Sequence, residues 1–125
     1  MAGASAELHE GAEILGEAGV DLHRALVSIQ EELEAVDWYN QRSLATNDPE
    51  LAAILAHHRD EEKEHAVMLL EWVRRRDPKF DEHLRTYLFT QASITEIEHE
   101  AEHEGGGAAG ANSSLRLCSL RGEEL

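Results

Sequence analysis

Glu62-Lys63-Glu64-His65 sets a carboxylate and an imidazole one helical turn apart, inside a segment whose apolar residues recur at helical spacing. Glu32 precedes the tetrad by thirty residues within another such segment. A Glu from one helix and a Glu-x-x-His from its neighbour are the ligand types from which dinuclear carboxylate metal sites are assembled in helical bundles. Carboxylate oxygen with some imidazole nitrogen suits iron, manganese or zinc better than calcium or magnesium, which prefer oxygen alone. The carboxylates can bridge two metals and tolerate the rising charge when ferrous iron becomes ferric, while the imidazoles cap the outer positions. The chain carries this set once and a dinuclear site needs it twice, so a second subunit must supply the other half. The residues alone leave two further readings open: an interfacial hydrogen-bonded cluster without metal, and a solvent-facing coincidence, since Glu is common on helices.

The elements that must position these groups are helices. From about Ala6 to Ala45 there is no proline, and Leu22, Leu26, Ile29, Leu33 and Val36 follow the four-three alternation of a helix packed on another helix. Gly11, Gly16 and Gly19 weaken the start of that run, so its first turns are expected to fray or bend. Thr46-Asn47-Asp48-Pro49 reads as a turn with Asp48 as N-cap and Pro49 at the first helical position. The second helix is predicted from Pro49 to about Arg75, with a seam of Leu51, Leu55, His58, Glu62, His65, Leu69 and Trp72, and Asp77-Pro78 closes it. Shorter helices are predicted from about Phe80 to Leu88 and from Ser93 to Glu104. Glu62 and His65 thus sit on an otherwise mostly apolar seam, where unpaired polar groups cost several kcal/mol, roughly. If the chain reverses at Asn47 to Pro49, residues whose numbers add to about ninety-five lie level, which puts Glu32 beside Glu62 and His65. Two such patches related by a two-fold axis would gather four carboxylates and two imidazoles.

Composition excludes several classes. The 125-residue chain is one small domain with a thin core, and its 5% aromatic content leaves a monomer little to bury. A formal net charge of −15 argues against nucleic-acid binding and raises the local concentration of cations. The single cysteine, Cys118, permits no intrachain disulfide and fits a reducing compartment. No stretch is apolar or long enough to span a bilayer, and Met1 to Glu10 lacks the regions of a signal peptide, so a soluble cytosolic protein is expected.

Four stretches closely resemble the encapsulated ferritins: Ile29 to Tyr39, Ile54 to His57, Arg59 to Ala66 and Glu82 to Phe89. The resemblance implies an all-α fold: a two-helix antiparallel hairpin plus a short third helix, half of a ferritin-like four-helix bundle completed by dimerisation. It further implies a ferroxidase whose dimers associate into a ring-shaped homodecamer. The enzyme would oxidise ferrous iron with dioxygen or peroxide at a di-iron site, inside an encapsulin nanocompartment in a bacterial or archaeal cytoplasm. By the same resemblance Glu32, Glu62 and His65 are the catalytic iron ligands, contributed by both subunits of a dimer, and Glu31 and Glu34, with Trp38 a turn beyond, form a metal-uptake gate; a solvated acidic face is the alternative for that pair. A non-catalytic metal-binding cargo or scaffold, in which the site only fixes the dimer, is the rival function, and a regulatory hairpin whose charges serve assembly is a third.

Other positions carry weaker signals. His57, Glu61 and Glu64 share a face and can hold a second, looser cation, calcium or another divalent ion, or belong to a surface ion-pair stripe with Arg59 and Lys63. Tyr39 can approach the centre from a neighbouring subunit or serve packing; His58 is expected inward, level with Trp38, as a hydrogen-bonded core histidine. His9 and His23 read as solvent-facing, and His99 and His103, four apart among glutamates, can bind a metal adventitiously. Residues 1–104 are thus expected to form the helical ferroxidase domain, 105–114 a flexible Gly/Ala/Ser linker and 115–125 a docking tail. Leu115 to Gly122 resembles the C-terminal signal by which cargo docks inside encapsulin shells, with Leu115, Leu117 and Leu120 as apolar anchors. Cys118 stands where that family commonly has glycine, and Glu123-Glu124-Leu125 runs past the motif.

Overall fold

Asp48 and Asp77 each precede a proline and each cap a helix. In the computed structural model, which describes residues 7–104, Asp48 Oδ1 accepts from the backbone N–H of Glu50 at 3.0 Å and of Leu51 at 3.4 Å. Asp77 Oδ1 accepts from Lys79 and Phe80 N–H, both at 3.0 Å. These caps satisfy first-turn donors that have no partner within the helix, and the prolines have no N–H to satisfy. The elements are α1 (Ala12–Ala45), α2 (Pro49–Arg76), α3 (Pro78–Tyr87) and α4 (Ile94–Glu104), and no strand occurs among the described residues. The linker at 105–114 and the docking tail at 115–125 lie outside the described residues.

The fold is all-α, and the described residues fall into two compact units divided between Arg76 and Asp77. In the first, α1 packs along α2 through the short turn at Thr46 to Asp48, as an antiparallel hairpin. The register expected from the turn holds: Tyr39 meets His58 and Asn40 meets Arg59 across the hairpin. In the second unit, α3 and α4 contact each other. Leu88 ends α3, and Phe89 turns the chain with φ at 61°, the left-handed conformation common after helix ends.

Helix α1 begins at Ala12 rather than near Ala6, because Gly11 is extended (φ −63°, ψ 139°) and offers no side chain to cap the helix. A break follows at Gly16, whose φ of 73° and ψ of 173° lie outside the helical region. That conformation requires glycine, so the expected bend is real and localised to this residue. The third helix starts at Pro78, two residues before the expected Phe80, because the Asp77 cap admits the proline into its first turn.

Among the described residues only Ala25, Ala66, Val73 and Ile97 are buried hydrophobics. Leu22, Leu26, Ile29 and Val36 of the α1 seam remain half-buried, while Leu33, Trp38, Val67 and Met68 are at least half exposed. A two-helix layer has no second layer to cover its apolar face. Apolar exposure of this kind is found where proteins meet other proteins, membranes or ligands. No described helix is long and apolar enough to cross a membrane.

Candidate metal centre

The centre is built on the packed faces of the two long helices. Ala25 on α1 and Ala66 on α2 are both buried, and small residues at a helix contact shorten the interaxial distance, which otherwise runs about 8–10 Å. Ala66 directly follows His65 and stands one turn beyond Glu62. Glu32, two turns after Ala25, therefore reaches across to both. His65 Nδ1 lies 3.4 Å from Glu62 Oε2 and 3.6 Å from Glu32 Oε2. One ligand atom from each of the three residues falls within 4.8 Å of the others, the only such grouping of His, Cys, Asp and Glu among the described residues. The Glu62 and Glu32 side chains are 23% and 24% exposed and His65 is 45% exposed, so the imidazole forms the outer lip.

Electrostatics single out the carboxyl pair. Hydrogen bonding with Glu62 holds the Glu32 carboxyl above its ordinary range, with burial and the Glu62 charge adding to the rise and His65 opposing it. The same hydrogen bond, made by Glu32, lowers Glu62, helped by His65. Two carboxylates brought this close resist carrying two charges, so Glu32 holds its proton to higher pH than a free carboxyl and Glu62 loses its proton more readily. A cation placed at the cluster offsets both charges.

Glu32 and His65 also line a groove of about 690 Å³ whose walls include Ala25, Met68, Leu69 and Trp72. Glu32 and His65 therefore face an open, largely apolar trough along the hairpin rather than a closed cage. Each chain presents two carboxylates and one imidazole there, too few to enclose two metal ions.

The remaining candidates are placed less centrally. Glu31 is exposed and Glu34 half-buried, one turn apart on α1, and neither joins the cluster within a single chain. His57 pairs with Glu61 at 3.4 Å. Arg59 and Lys63 both pair with Asp60, at 3.0 and 3.1 Å, so the surface ion-pair stripe centres on Asp60. His58 is exposed, not core, and packs edge-on against Tyr39 with ring centroids 5.3 Å apart. Its correction has a simple cause: the hairpin has one buried side, and at the His58 level that side is filled by Arg59. His9 is exposed as expected, whereas His23 is half-buried.

Sequence reasoning missed three residues that shape the site. Arg59 Nη1 donates to Asn40 Oδ1 at 3.0 Å across the hairpin, with its side chain only 23% exposed. It clamps α1 to α2 one turn from Glu62, although a charged residue in a polar run reads as solvated. The burial of Ala25 and Ala66 was equally unremarked, because alanine carries no chemistry; its signal was a small residue beside inward polar ones.

Known proteins share this architecture. The EncFtn-like family model matches residues 7–91. The chain is 59% identical to an encapsulated ferritin-like protein of Rhodospirillum rubrum, over 98% of this chain and 94% of that one. It is 36% identical to an encapsulin nanocompartment cargo protein of Myxococcus xanthus, over 70% of this chain and 68% of the other. A crystal structure of a Nitrosomonas europaea protein superposes with a TM-score of 0.67 at 60% identity, covering 70% of this chain and 96% of that chain. The paired long helices, the half-open groove and the match across residues 7–91 together make this chain a member of the EncFtn-like family, with half of a ferritin-like bundle as its fold.

Proposed function

We propose that this protein is a ferroxidase that completes a di-iron site between two copies of itself and delivers ferric iron for storage inside an encapsulin shell. The observation that carries the reading is the convergence of Glu32, Glu62 and His65 beside an open groove that Glu32 and His65 line. Two hairpins facing each other along that groove would supply four carboxylates and two imidazoles, the ligand complement of a dinuclear carboxylate centre.

Ferrous iron is the substrate. Glu32 and Glu62 offer both carboxylates as bridges, and each His65 binds from the lip. Two ferrous ions each lose one electron; dioxygen takes both electrons with two protons and becomes hydrogen peroxide, or peroxide takes them and becomes two waters. The carboxylates offset the added positive charge, so the product state is not penalised by a dry interior. The surface charge of −15 draws the next cations toward the groove. Glu31 and Glu34, one turn apart on α1 and flanking Glu32 in sequence, are proposed as the gate through which iron arrives.

The names of the relatives, an encapsulated protein and a nanocompartment cargo, support a shell as partner. The tail at 115–125 is proposed as the segment that docks there, and a ring of five dimers as the assembly.

Stopped-flow absorbance after aerobic addition of ferrous iron tests the enzyme reading. Glu62→Ala is expected to slow ferric product formation by more than the roughly ten- to hundredfold that losing an outer-shell partner costs. An unchanged rate in both Glu62→Ala and Glu32→Ala would leave only a scaffold role for the site.

A further inference from the structure

Outside the hairpin, α4 carries a second nitrogen-rich arrangement that the proposed oxidation does not use. His99 and His103 stand four residues apart, and their Nε2 atoms are 3.1 Å from each other. The rings meet edge to face, centroids 4.5 Å apart at 86°, and both residues are exposed. Two nitrogens this close cannot both carry a proton, so at least one directs a lone pair toward the space between them.

We propose that His99 and His103 form an independent site for a divalent transition-metal ion, one ion per chain, of the imidazole-preferring class. At a metal–nitrogen distance of about 2.0–2.1 Å, nitrogens 3.1 Å apart subtend roughly 95–100° at the ion. That lies close to the right angle of square-planar or octahedral coordination, so the two nitrogens are already spaced for one ion. Rings that already hold each other lose less side-chain freedom on binding than two independent ones. His103 lies in the last turn of α4, where the helix dipole favours positive charge. Glu96 and Glu100 stand one turn before each histidine and add negative potential. The hairpin centre offers two carboxylates to one imidazole, whereas this site offers two imidazoles, which shifts preference toward copper(II), nickel(II) and zinc(II) and away from magnesium and calcium.

The test reads copper(II) binding to the full-length protein by paramagnetic resonance and by equilibrium dialysis. It is run in the wild type and in a Glu32→Ala/Glu62→Ala/His65→Ala background that removes the hairpin ligands. In both backgrounds the expected result is a nitrogen-ligated copper signal that loses one equivalent per chain when His99→Gln and His103→Gln are introduced together. Each single substitution is expected to weaken that equivalent at least tenfold. Both positions are exposed and Gln is a good helix former, so circular dichroism should stay unchanged. An unaltered signal and stoichiometry in the double variant would overturn the proposal, leaving an imidazole–imidazole hydrogen bond with no ion. Equal uptake of copper and magnesium would overturn it too, since that is the behaviour of an acidic surface.

Discussion

Glu32 of α1 and Glu62 of α2 form one hydrogen-bonded carboxyl pair, with the pKa of the first raised and that of the second lowered by the same bond. A raised carboxylate favours the folded state in acid, and that contribution is lost as pH climbs through the folded-state value. At neutral pH the raised Glu32 carboxyl therefore works against the metal-free hairpin, while the lowered Glu62 carboxyl works for it. Glu32→Gln keeps a hydrogen-bond donor for Glu62 while removing one charge. It is expected to raise the thermal midpoint of metal-free protein at pH 7 and to abolish iron oxidation, checked by parallel melts and rate measurements. A lower midpoint would show that the pair stabilises rather than strains the site.

Packing at Ala66 is a second handle. Ala66→Leu enlarges a buried side chain of α2, and overpacking of that sort costs about 1–3 kcal/mol. Chemical denaturation should report the loss. Iron oxidation should fall as well, because Glu32 is drawn away from Glu62 and His65. Ala53→Leu, on the exposed side of α2, serves as the control that changes neither.

Glu71 gives a pH signature remote from the centre. Arg74 first and Arg75 second hold its carboxyl down to about 2 from an ordinary 4.5, through contacts of 2.7, 2.8 and 2.7 Å. A lowered carboxylate stabilises above its unfolded value and loses that contribution as pH falls through the folded value. Glu71→Gln should therefore melt below the wild type at pH 7, with the gap closing between about pH 4.5 and 2. A gap independent of pH would assign the effect to packing.

Assembly supplies the fourth expectation. Met68 lines the groove and is 64% exposed in the single chain. Met68→Glu places a charge in the surface proposed to meet a second copy, and the variant should elute as a monomer. Chelation of the wild type, or His65→Ala, should move it the same way, since four carboxylates repel without a cation between them. Size-exclusion chromatography with light scattering reads each case.

Much of this was legible from residue order. The reversal at Asp48-Pro49 is written in cap chemistry, and once it is fixed, helical rise alone brings Glu32 level with Glu62 and His65. What could not be read was lateral position around each helix. His58 follows the same spacing as Glu62 yet lies exposed, because the seam of a two-helix layer is narrower than its periodic pattern. Arg59 took the buried place through Asn40, a partner nineteen residues away that no local pattern reveals. The start of α1 was misjudged for a different reason: Gly11 and Gly16 each weaken a helix, and only the backbone shows which one stops it and which one bends it.

That bend at Gly16 has a mechanical consequence. Nothing lies within 4 Å of where a side chain would project, so the position is guarded by torsion and not by crowding. The leading turn hangs on an elbow rather than continuing a rod. One methyl group there, in Gly16→Ala, would straighten the joint and swing Ile14, 74% exposed, onto a new heading, redirecting the amino end of the protein without touching a single ligand.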